Sequence, residues 1–597
     1  MDNQCDGMQG LGSRFSHTDL VAAGAPILYA KIEELRNLKT RGHIYVKRGA
    51  EDLEKSYAEI VLSAARIQSL LHRHGLKKGD RVALMLPDHE AFIATFLAAM
   101  RGGIIPVPIC PPSAFGNRVD LGFADAILKT ARAAVLVTTT ALVEAVKPLA
   151  HISPVREILT YEELERLSKM DGGIGDAADL TPDDICYLQF TSGSTGSPKG
   201  VVVMHRNVYA NAELSIVKAL NMTTEDRVVS WLPMYHDMGL VGKFLSPFLF
   251  EIPVVFIATS RFIRSPSIWM ETISKYRGTV SFGPNFAFAL AAKRATESDL
   301  QKLDLSSLRV AGCGSEPISP QVLRDFFRVF QRAGLRKDTI VPCYGMAEAT
   351  LAITFGQLDA PPRIESFDRS AYQTQRTAVP ASGPSSGETI EIVSCGRTFE
   401  GHEIAILSKA GKPLPEKAVG EIVFSGPSVT SGYYEDHDKT KEMYRDGWLH
   451  TGDLGFMFNG ELFVSGRKKD LIIINGKNFS PEQIEWVVGS HVATNGVVAF
   501  SSPAYETEEL HIAVEVRPTV GRIELAQAIR HAITSAFSLV VSSIIFLRPG
   551  TIPKTTSGKV QRSMTKQMWL EGKLNEFMID GRRREVEPRA TSDQRIA

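Results

Sequence analysis

No charge of one sign dominates this chain. Its 597 residues carry 67 lysines and arginines against 67 aspartates and glutamates, so neither nucleic acid nor an anionic membrane surface is implied as a partner. Cysteine is scarce. The six, at positions 5, 110, 186, 313, 343 and 395, include no Cys-x-x-Cys pair and no Cys/His ligand cluster. They are too few to staple a chain of this length, which excludes a disulfide scaffold and fits a cytoplasmic protein. The first residues, Met1 to Gly7, are polar and acidic and lack the apolar core of a signal peptide. Long hydrophobic runs are missing too. The longest, Phe244 to Ala258, is broken by Pro247, Glu251 and Pro253, well short of the ~20 apolar residues of a membrane span. What remains is a neutral chain, 44% hydrophobic, that reads as a soluble globular enzyme of more than one domain.

Against these absences stands one dense feature, Thr191-Ser192-Gly193-Ser194-Thr195-Gly196-Ser197-Pro198-Lys199-Gly200. Hydroxyls, glycines and a lysine packed into one loop are what a polyphosphate needs: backbone that can approach closely, hydrogen-bond donors and a cation. The flanks Ile185 to Phe190 and Val201 to Met204 are β-rich apolar runs, so the loop is expected to join two strands. A P-loop runs from strand to helix and ends Gly-Lys-Ser/Thr, whereas here Lys199 lies between Pro198 and Gly200. The Walker motif is excluded. A plain Gly/Ser linker has little use for Pro-Lys-Gly set against a valine-rich strand.

Around this loop the first half alternates strand and helix patterns. Arg81 to Leu86 reads as a strand, Glu90 to Met100 as a helix and Ile104 to Ile109 as a further extended segment, and the rhythm returns at Ala134 to Val137 and the helix after it. This is the pattern of a mostly parallel sheet. Lys169 to Asp184 reads as a surface connector. A boundary is expected near Gly466. Before it, Gly447 to Asp453 and Glu461 to Ser465 are turn-rich β structure; after it come a strand at Leu471 to Ile474, a turn at Asn475-Gly476, and a helix start at Ser480-Pro481-Glu482-Gln483, with serine at the cap and Gln three residues on.

Further motifs fall in order along the chain: Leu232-Pro-Met-Tyr-His236-Asp237-Met-Gly239, Gly312-Cys-Gly314-Ser315-Glu316-Pro317, Tyr344-Gly345-Met346-Ala347-Glu348-Ala349-Thr350, Trp448-Leu-His-Thr-Gly452-Asp453, Gly466-Arg467-Lys-Lys469-Asp470 and Thr555-Thr-Ser-Gly-Lys559. With the Thr191 loop, this set resembles the adenylate-forming superfamily of acyl-CoA synthetases, peptide-synthetase adenylation domains and luciferases, from about residue 20 to residue 575.

The resemblance implies an α/β fold. A large N-terminal adenylate-forming domain (1–466) would hold parallel-sheet αβαβα subdomains and a β-rich subdomain, and a small mobile α+β domain (467–597) would carry the catalytic lysine. It also implies roles. Thr191, Ser192, Gly193, Ser194, Thr195, Gly196 and Lys199 would hold the ATP phosphates, and Glu348 would bind Mg²⁺. Tyr344, Gly345, Met346 and the Gly314-Ser315-Glu316-Pro317 turn would flank the adenine. Asp453 would take the ribose hydroxyls, with Arg467 nearby. Lys559 would reach the carboxylate and α-phosphate, Lys469 would be the hinge, and His236 would stand beside the acyl site. The chemistry suits these residues: a carboxylic acid is already ionised at pH 7, so its attack on the α-phosphate needs alignment and neutralised charge rather than a base.

Within the superfamily, the long stretch between Glu348 and Gly396-Arg397, the Ala347-Glu348-Ala349-Thr350 form and Tyr235-His236-Asp237-Met-Gly resemble fatty acyl-AMP ligases. In these, an insertion, here about 356–394, is associated with weak or absent thioester formation with CoA. The implied substrates are ATP and a medium-to-long-chain fatty acid, and the implied acceptor is the phosphopantetheine arm of a separate acyl carrier protein. A fatty acyl-CoA synthetase and a non-catalytic fatty-acid or adenylate sensor are the alternatives, although the sensor would be free to lose Lys559, Glu348 and Asp453. Trp231, Pro233, Met234, Phe282, Phe286 and Phe288 either line an acyl tunnel or form core.

Overall fold

Strands buried on both faces read as unbroken apolar runs, and several such runs of this chain lie side by side. The computed structural model describes residues 28–112, 121–171, 173–192, 198–381, 383, 388–492, 494, 496–503, 508–517, 521–555 and 558–581. In it Val254–Ile257, Val280–Pro284 and Val310–Gly314 are buried at every position. They belong to a nine-stranded sheet with spatial order Arg397–Thr398, Ala352–Phe355, Ile340–Gly345, Val310–Gly314, Val280–Pro284, Val228–Ser230, Val254–Ile257, Gly42–Val46, Leu53–Ser56. Every pairing from Ile340–Gly345 to Gly42–Val46 is parallel, and the outer strands close the sheet antiparallel.

A second, four-stranded parallel sheet has the order Ile105–Pro108, Arg81–Leu84, Val135–Thr138, Glu157–Thr160. Helix His89–Arg101 connects its first two strands, capped by the Asp88 carboxylate on the amides of Glu90 and Ala91. The expected helix after Val135–Thr138 is split into Val143–Val146 and Leu149–Ile152, with Pro148, which cannot continue a hydrogen-bonded turn, between them. A largely antiparallel sheet of Glu403–Leu407, Gly420–Ser425, Trp448–Phe458 and neighbouring strands supplies the β-rich part.

The chain divides into two compact units, Met1–Ser366 with Glu391–Val464, and Phe367–Ile390 with Ser465–Ala597. The second unit is built on a four-stranded sheet of Gly496–Pro503, Glu508–Glu515, Val541–Leu547 and Glu576–Gly581, whose central pairing is parallel. Helices Pro481–His491 and Arg522–Phe537 contribute Ile484, Val488, Ile529 and Ile533 to its core. Its entry hairpin, Ile472–Ile474 with Lys477–Phe479, turns at Asn475 and Gly476 with φ of 51° and 73°, the two left-handed positions of a type I′ turn. The helix begins at Pro481 as the sequence predicts, but the capping box does not form: Ser480 Oγ donates to Glu482 Oε2 at 2.6 Å instead of accepting from the helix.

Residues 367–390, the middle of the predicted insertion, thus belong to the second unit. Arg369 holds them there. Its guanidinium donates to the Ala536 carbonyl in the last turn of Arg522–Phe537, one of the carbonyls a helix leaves without an internal partner, and lies 5.2 Å from the centroid of the Phe537 ring. Asn478 Nδ2 adds a 2.9 Å hydrogen bond to the Gln373 carbonyl.

Candidate active site

The strand-loop-strand reading of the glycine-rich segment holds. Ile185–Ser192 and Pro198–Met204 pair antiparallel, with Thr191 opposite Lys199 and Ser192 opposite Pro198. Gly193, Ser194, Thr195 and Gly196 lie outside the described residues, as does the side chain of Ser192. Gly200 has no room for a side chain, because a Cβ there would stand 2.8 Å from the Phe190 ring. Beyond the hairpin the chain at 432–434 extends the pairing: Tyr434 N donates to the Gly200 carbonyl at 2.7 Å and Val202 N to Gly432 at 2.9 Å.

That pairing brings Tyr433 to both Lys199 and Glu348. Lys199 Nζ lies 5.0 Å from the centroid of the Tyr433 ring, and the Tyr433 hydroxyl donates to Glu348 Oε1 at 2.8 Å. Glu348 is 7% exposed and Tyr433 5%. Burial, together with the neighbouring carboxylate, pushes the phenol's pKa well above its ordinary value, so it remains a donor. The Glu348 carbonyl is held twice by Thr430, through its amide and its hydroxyl, each at 3.0 Å.

The turn carrying Glu348 is strained. Thr350 has φ of 68°, an unfavourable conformation for a β-branched residue, and its hydroxyl is fixed on the Ser428 carbonyl at 2.6 Å.

Tyr344, at the end of strand Ile340–Gly345, donates through its hydroxyl to Asp453 Oδ2 at 2.7 Å. Asp453 is buried on Trp448–Phe458, and its amide donates to the Thr451 hydroxyl oxygen at 3.1 Å. The Gly314-Ser315-Glu316-Pro317 segment leaves the adjoining strand. Gly314 is forced by space, since a Cβ would meet Cys343 Sγ at 2.6 Å, and Ser315 adopts φ of 69°. The Glu316 carboxylate accepts from the Phe286 amide at 2.7 Å, satisfying a free N–H in the first turn of helix Asn285–Arg294. Met346 and Pro317 are half-buried beside these strand ends.

His236, also half-buried, precedes the short helix Asp237–Leu240, its ring edge-on to Tyr235 with centroids 4.8 Å apart. Gln189 of the hairpin donates to the Tyr235 carbonyl at 3.0 Å and so ties this segment to the glycine-rich loop's first strand.

A cavity opens at the carboxyl ends of Val280–Pro284 and Ile340–Gly345, where ligands of open α/β sheets bind. Met238, Phe282, Ser315, Tyr344, Gly345 and Phe355 are among its walls. Of the six candidate acyl residues, Phe282 lines it. Trp231 and Phe288 are core instead: Trp231 stacks on Phe262 at 3.7 Å, and Phe288 packs against Trp269 and Phe326.

The second unit holds the remaining predicted residues. Arg467 and Lys469 are exposed. Lys559 is half-buried at the close of a short turn, its carbonyl accepting from the Thr555 amide at 2.7 Å and its amide donating to Thr555 Oγ1 at 3.1 Å. Sequence reasoning missed Tyr433, the strained Thr350 and Lys243, a lysine 2% exposed in the cavity wall. For Lys243 a signal existed, since it is the single charge in the apolar run from Met238 to Phe250.

Comparison with known proteins gives a consistent result. A family described as AMP-binding enzyme matches residues 36–434, and one described as the AMP domain of Disco-interacting protein 2-like proteins matches residues 469–578. A Caulobacter vibrioides protein provisionally named an acyl-CoA synthetase is 32% identical over 92% of this chain and 96% of its own. A medium-chain fatty acid–[acyl-carrier-protein] ligase of Moorena producens is 31% identical over 90% of this chain and 93% of its own. A solved structure from work on fatty acyl-adenylate ligases of E. coli and L. pneumophila superposes with a TM-score of 0.83 at 34% identity, covering 92% of this chain and 98% of that one.

Proposed function

The chain belongs to the family of AMP-binding enzymes, and on that premise we propose that it is a fatty acyl-AMP ligase that activates a medium-to-long-chain fatty acid with ATP and passes the acyl group to the phosphopantetheine thiol of a separate acyl carrier protein. The observation that carries the reading is the meeting of Lys199, Tyr433 and Glu348 from three distant segments beside a hairpin loop suited to polyphosphate.

In the first step the ionised carboxylate attacks the α-phosphorus. The new C–O–P bond forms as the Pα–O–Pβ bond breaks, pyrophosphate leaves, and no proton has to move. The protein's task is to align two anions and offset their charge. Lys199 and Thr191, with Ser192 to Gly196, hold the departing phosphates. Tyr344 with Gly345 and Met346, and the Gly314 to Pro317 turn, bracket the adenine. Asp453, oriented by the Tyr344 hydroxyl, accepts from the ribose, and Arg467 lies near it in sequence order with the hinge residue Lys469. Lys559 of the small unit neutralises the meeting carboxylate and α-phosphate, and His236 borders the acyl chain.

A single buried carboxylate suits a cation that takes few protein ligands and most of its shell from phosphates and water, and this is how Mg²⁺ binds; Glu348 would hold it. Bound there, Mg²⁺ supplies charge neutralisation at the phosphates. In the second step the carrier thiol attacks the acyl carbonyl, the C–S bond forms, AMP leaves and the thiol proton goes to solvent.

The choice of a carrier over CoA is supported by residues 367–390, which Arg369 fastens within the small unit. The second reading, a fatty acyl-CoA synthetase, is favoured by the name of the Caulobacter relative. Incubation with ATP, Mg²⁺ and dodecanoic acid, with and without CoA, separates the two. Acyl-AMP and pyrophosphate without acyl-CoA supports the ligase reading, acyl-CoA formation supports the synthetase, and binding without pyrophosphate release refutes both.

A further inference from the structure

The cavity beside Tyr344 is apolar over most of its wall, with Ile216, Met238, Phe282, Leu351, Ala352 and Phe355 among the side chains that a fatty chain would touch. Lys243 breaks this pattern. It is buried, it lines the same cavity, and its Nζ lies 3.5 Å from the centroid of the Phe282 ring. Among the described residues no carboxylate forms an ion pair with it. Asp237, which lines the same cavity, has an oxygen engaged by the Met238 amide at 2.7 Å.

The backbone is shaped to put the lysine there. Val241–Leu245 forms a π-helical turn, and Glu213–Ala219, which contributes Ser215 and Ile216 to the wall, forms another. Such turns are rare overall and are frequent at functional sites. A long apolar residue would fill the position of Lys243 with no desolvation cost. The aromatic face of Phe282 offsets part of that cost, and the rest stands until a ligand brings an acceptor to the nitrogen.

We propose that the acid selected by this cavity carries an oxygen substituent on its chain, a hydroxyl, oxo or second carboxyl group away from the reacting carboxylate, and that Lys243 is the specificity-determining residue that binds it. This rests on the reading of the cavity as the acyl site. A plain alkyl chain would bury the amine with no acceptor. An oxygen at that depth gives it a hydrogen bond in a medium of low dielectric, where such a bond discriminates strongly because its loss leaves a buried polar group unmet. Burial lowers the Lys243 pKa to about 7, so both forms of the amine are accessible near neutrality: the ammonium can donate to a carboxylate or ketone, and the amine can also accept from a hydroxyl.

The test compares four acids of one chain length on the full chain with ATP and Mg²⁺: dodecanoic acid, ω-hydroxydodecanoic acid, an oxododecanoic acid and dodecanedioic acid, read as pyrophosphate release. The wild type is expected to favour at least one oxygenated acid over dodecanoic acid by about tenfold or more in kcat/KM. Lys243→Met, close in length and without the amine, is expected to bring that ratio to about one while retaining use of dodecanoic acid. The wild-type ratio needs no variant to fold. Activation of dodecanoic acid with no gain from any oxygen substituent overturns this inference alone, and so does an oxygen preference that survives in Lys243→Met. Release of pyrophosphate from none of the four overturns the acyl-ligase reading as well.

Discussion

The Tyr433 hydroxyl donates a 2.8 Å hydrogen bond to Glu348 Oε1, and the same ring faces Lys199 Nζ at 5.0 Å. One side chain thus fixes the spacing between a carboxylate suited to a metal and a cation suited to phosphate. Tyr433→Phe keeps the ring and removes the donor, so it should leave Lys199 in place while loosening Glu348. Hydrogen bonds to charged groups are worth about 1.5–3 kcal/mol, and the expected loss in kcat/KM for ATP is therefore roughly 10- to 100-fold. Glu348→Gln should lose more and should shift the Mg²⁺ titration to higher concentration. A Mg²⁺ titration and ATP kinetics on both variants check this; unchanged kinetics in Tyr433→Phe would remove Tyr433 from the site.

Lys559 is held by a closed turn, with Thr555 bonded to both its amide and its carbonyl, so the backbone presenting it is defined apart from the amine. Lys559→Ala is expected to preserve that turn. The rate of acyl-adenylate formation should fall by about 10²–10³, the usual scale for removing a charge-stabilising group from a transition state, while ATP affinity stays within roughly threefold. Single-turnover adenylation and equilibrium nucleotide binding separate the two quantities. Adenylate formation at the wild-type rate would exclude the lysine from the chemistry.

The parts of the fold that followed local rules were legible. The Ile185–Ser192 and Pro198–Met204 hairpin, the type I′ turn at Asn475-Gly476 and the helix start at Pro481 each depend on residues adjacent in sequence. What was illegible depends on partners brought by tertiary structure. Ser480 had the right neighbours for a capping box, yet its hydroxyl turned to Glu482. The assignment of 367–390 to the second unit rests on Arg369 finding the end of a helix more than 150 residues away, as its separation of 167 from Ala536 records. Tyr433 could not be singled out, because its significance comes from the pairing of 432–434 with the glycine-rich hairpin. Aromatic composition left tunnel and core open, and only tertiary packing sorts the residues: Trp231 and Phe288 fill the core, whereas Phe282 lines the cavity.

Arg369 offers a test of what the insertion does. Its bonds to the Ala536 and Thr389 carbonyls and its contact with the Phe537 ring tie the two ends of the 367–390 segment to one helix terminus. Arg369→Ala removes all three. Hydrogen exchange across 367–390 is expected to speed up by about tenfold or more, matching the loss of hydrogen bonds from a charged donor. If this anchoring keeps CoA from serving as acceptor, acyl-CoA should become detectable in the variant while acyl-AMP formation persists. Faster exchange with no acyl-CoA would show that the anchor has no part in choosing the acceptor.

Lys243 also predicts a pH dependence that needs no substrate. Burial lowers its pKa from 10.5 to about 7 in the folded protein, so between about pH 7 and 10.5 the unfolded chain binds a proton that the folded chain does not. Stability therefore rises with pH through this window, and below about pH 7 the full penalty of the buried ammonium applies. The groups sharing its cavity are Asp237, Tyr344 and Cys343, and burial pushes the Cys343 thiol up to about 12, so it stays neutral across the range. Comparing wild type with Lys243→Met cancels the common contribution of these groups. The variant should be the more stable by an amount on the order of 3–5 kcal/mol at pH 6, with the advantage shrinking steadily towards pH 10. Thermal unfolding of both proteins across that range measures the difference. A gap independent of pH would mean that Lys243 titrates outside the window, its ammonium being matched by a partner in the folded protein.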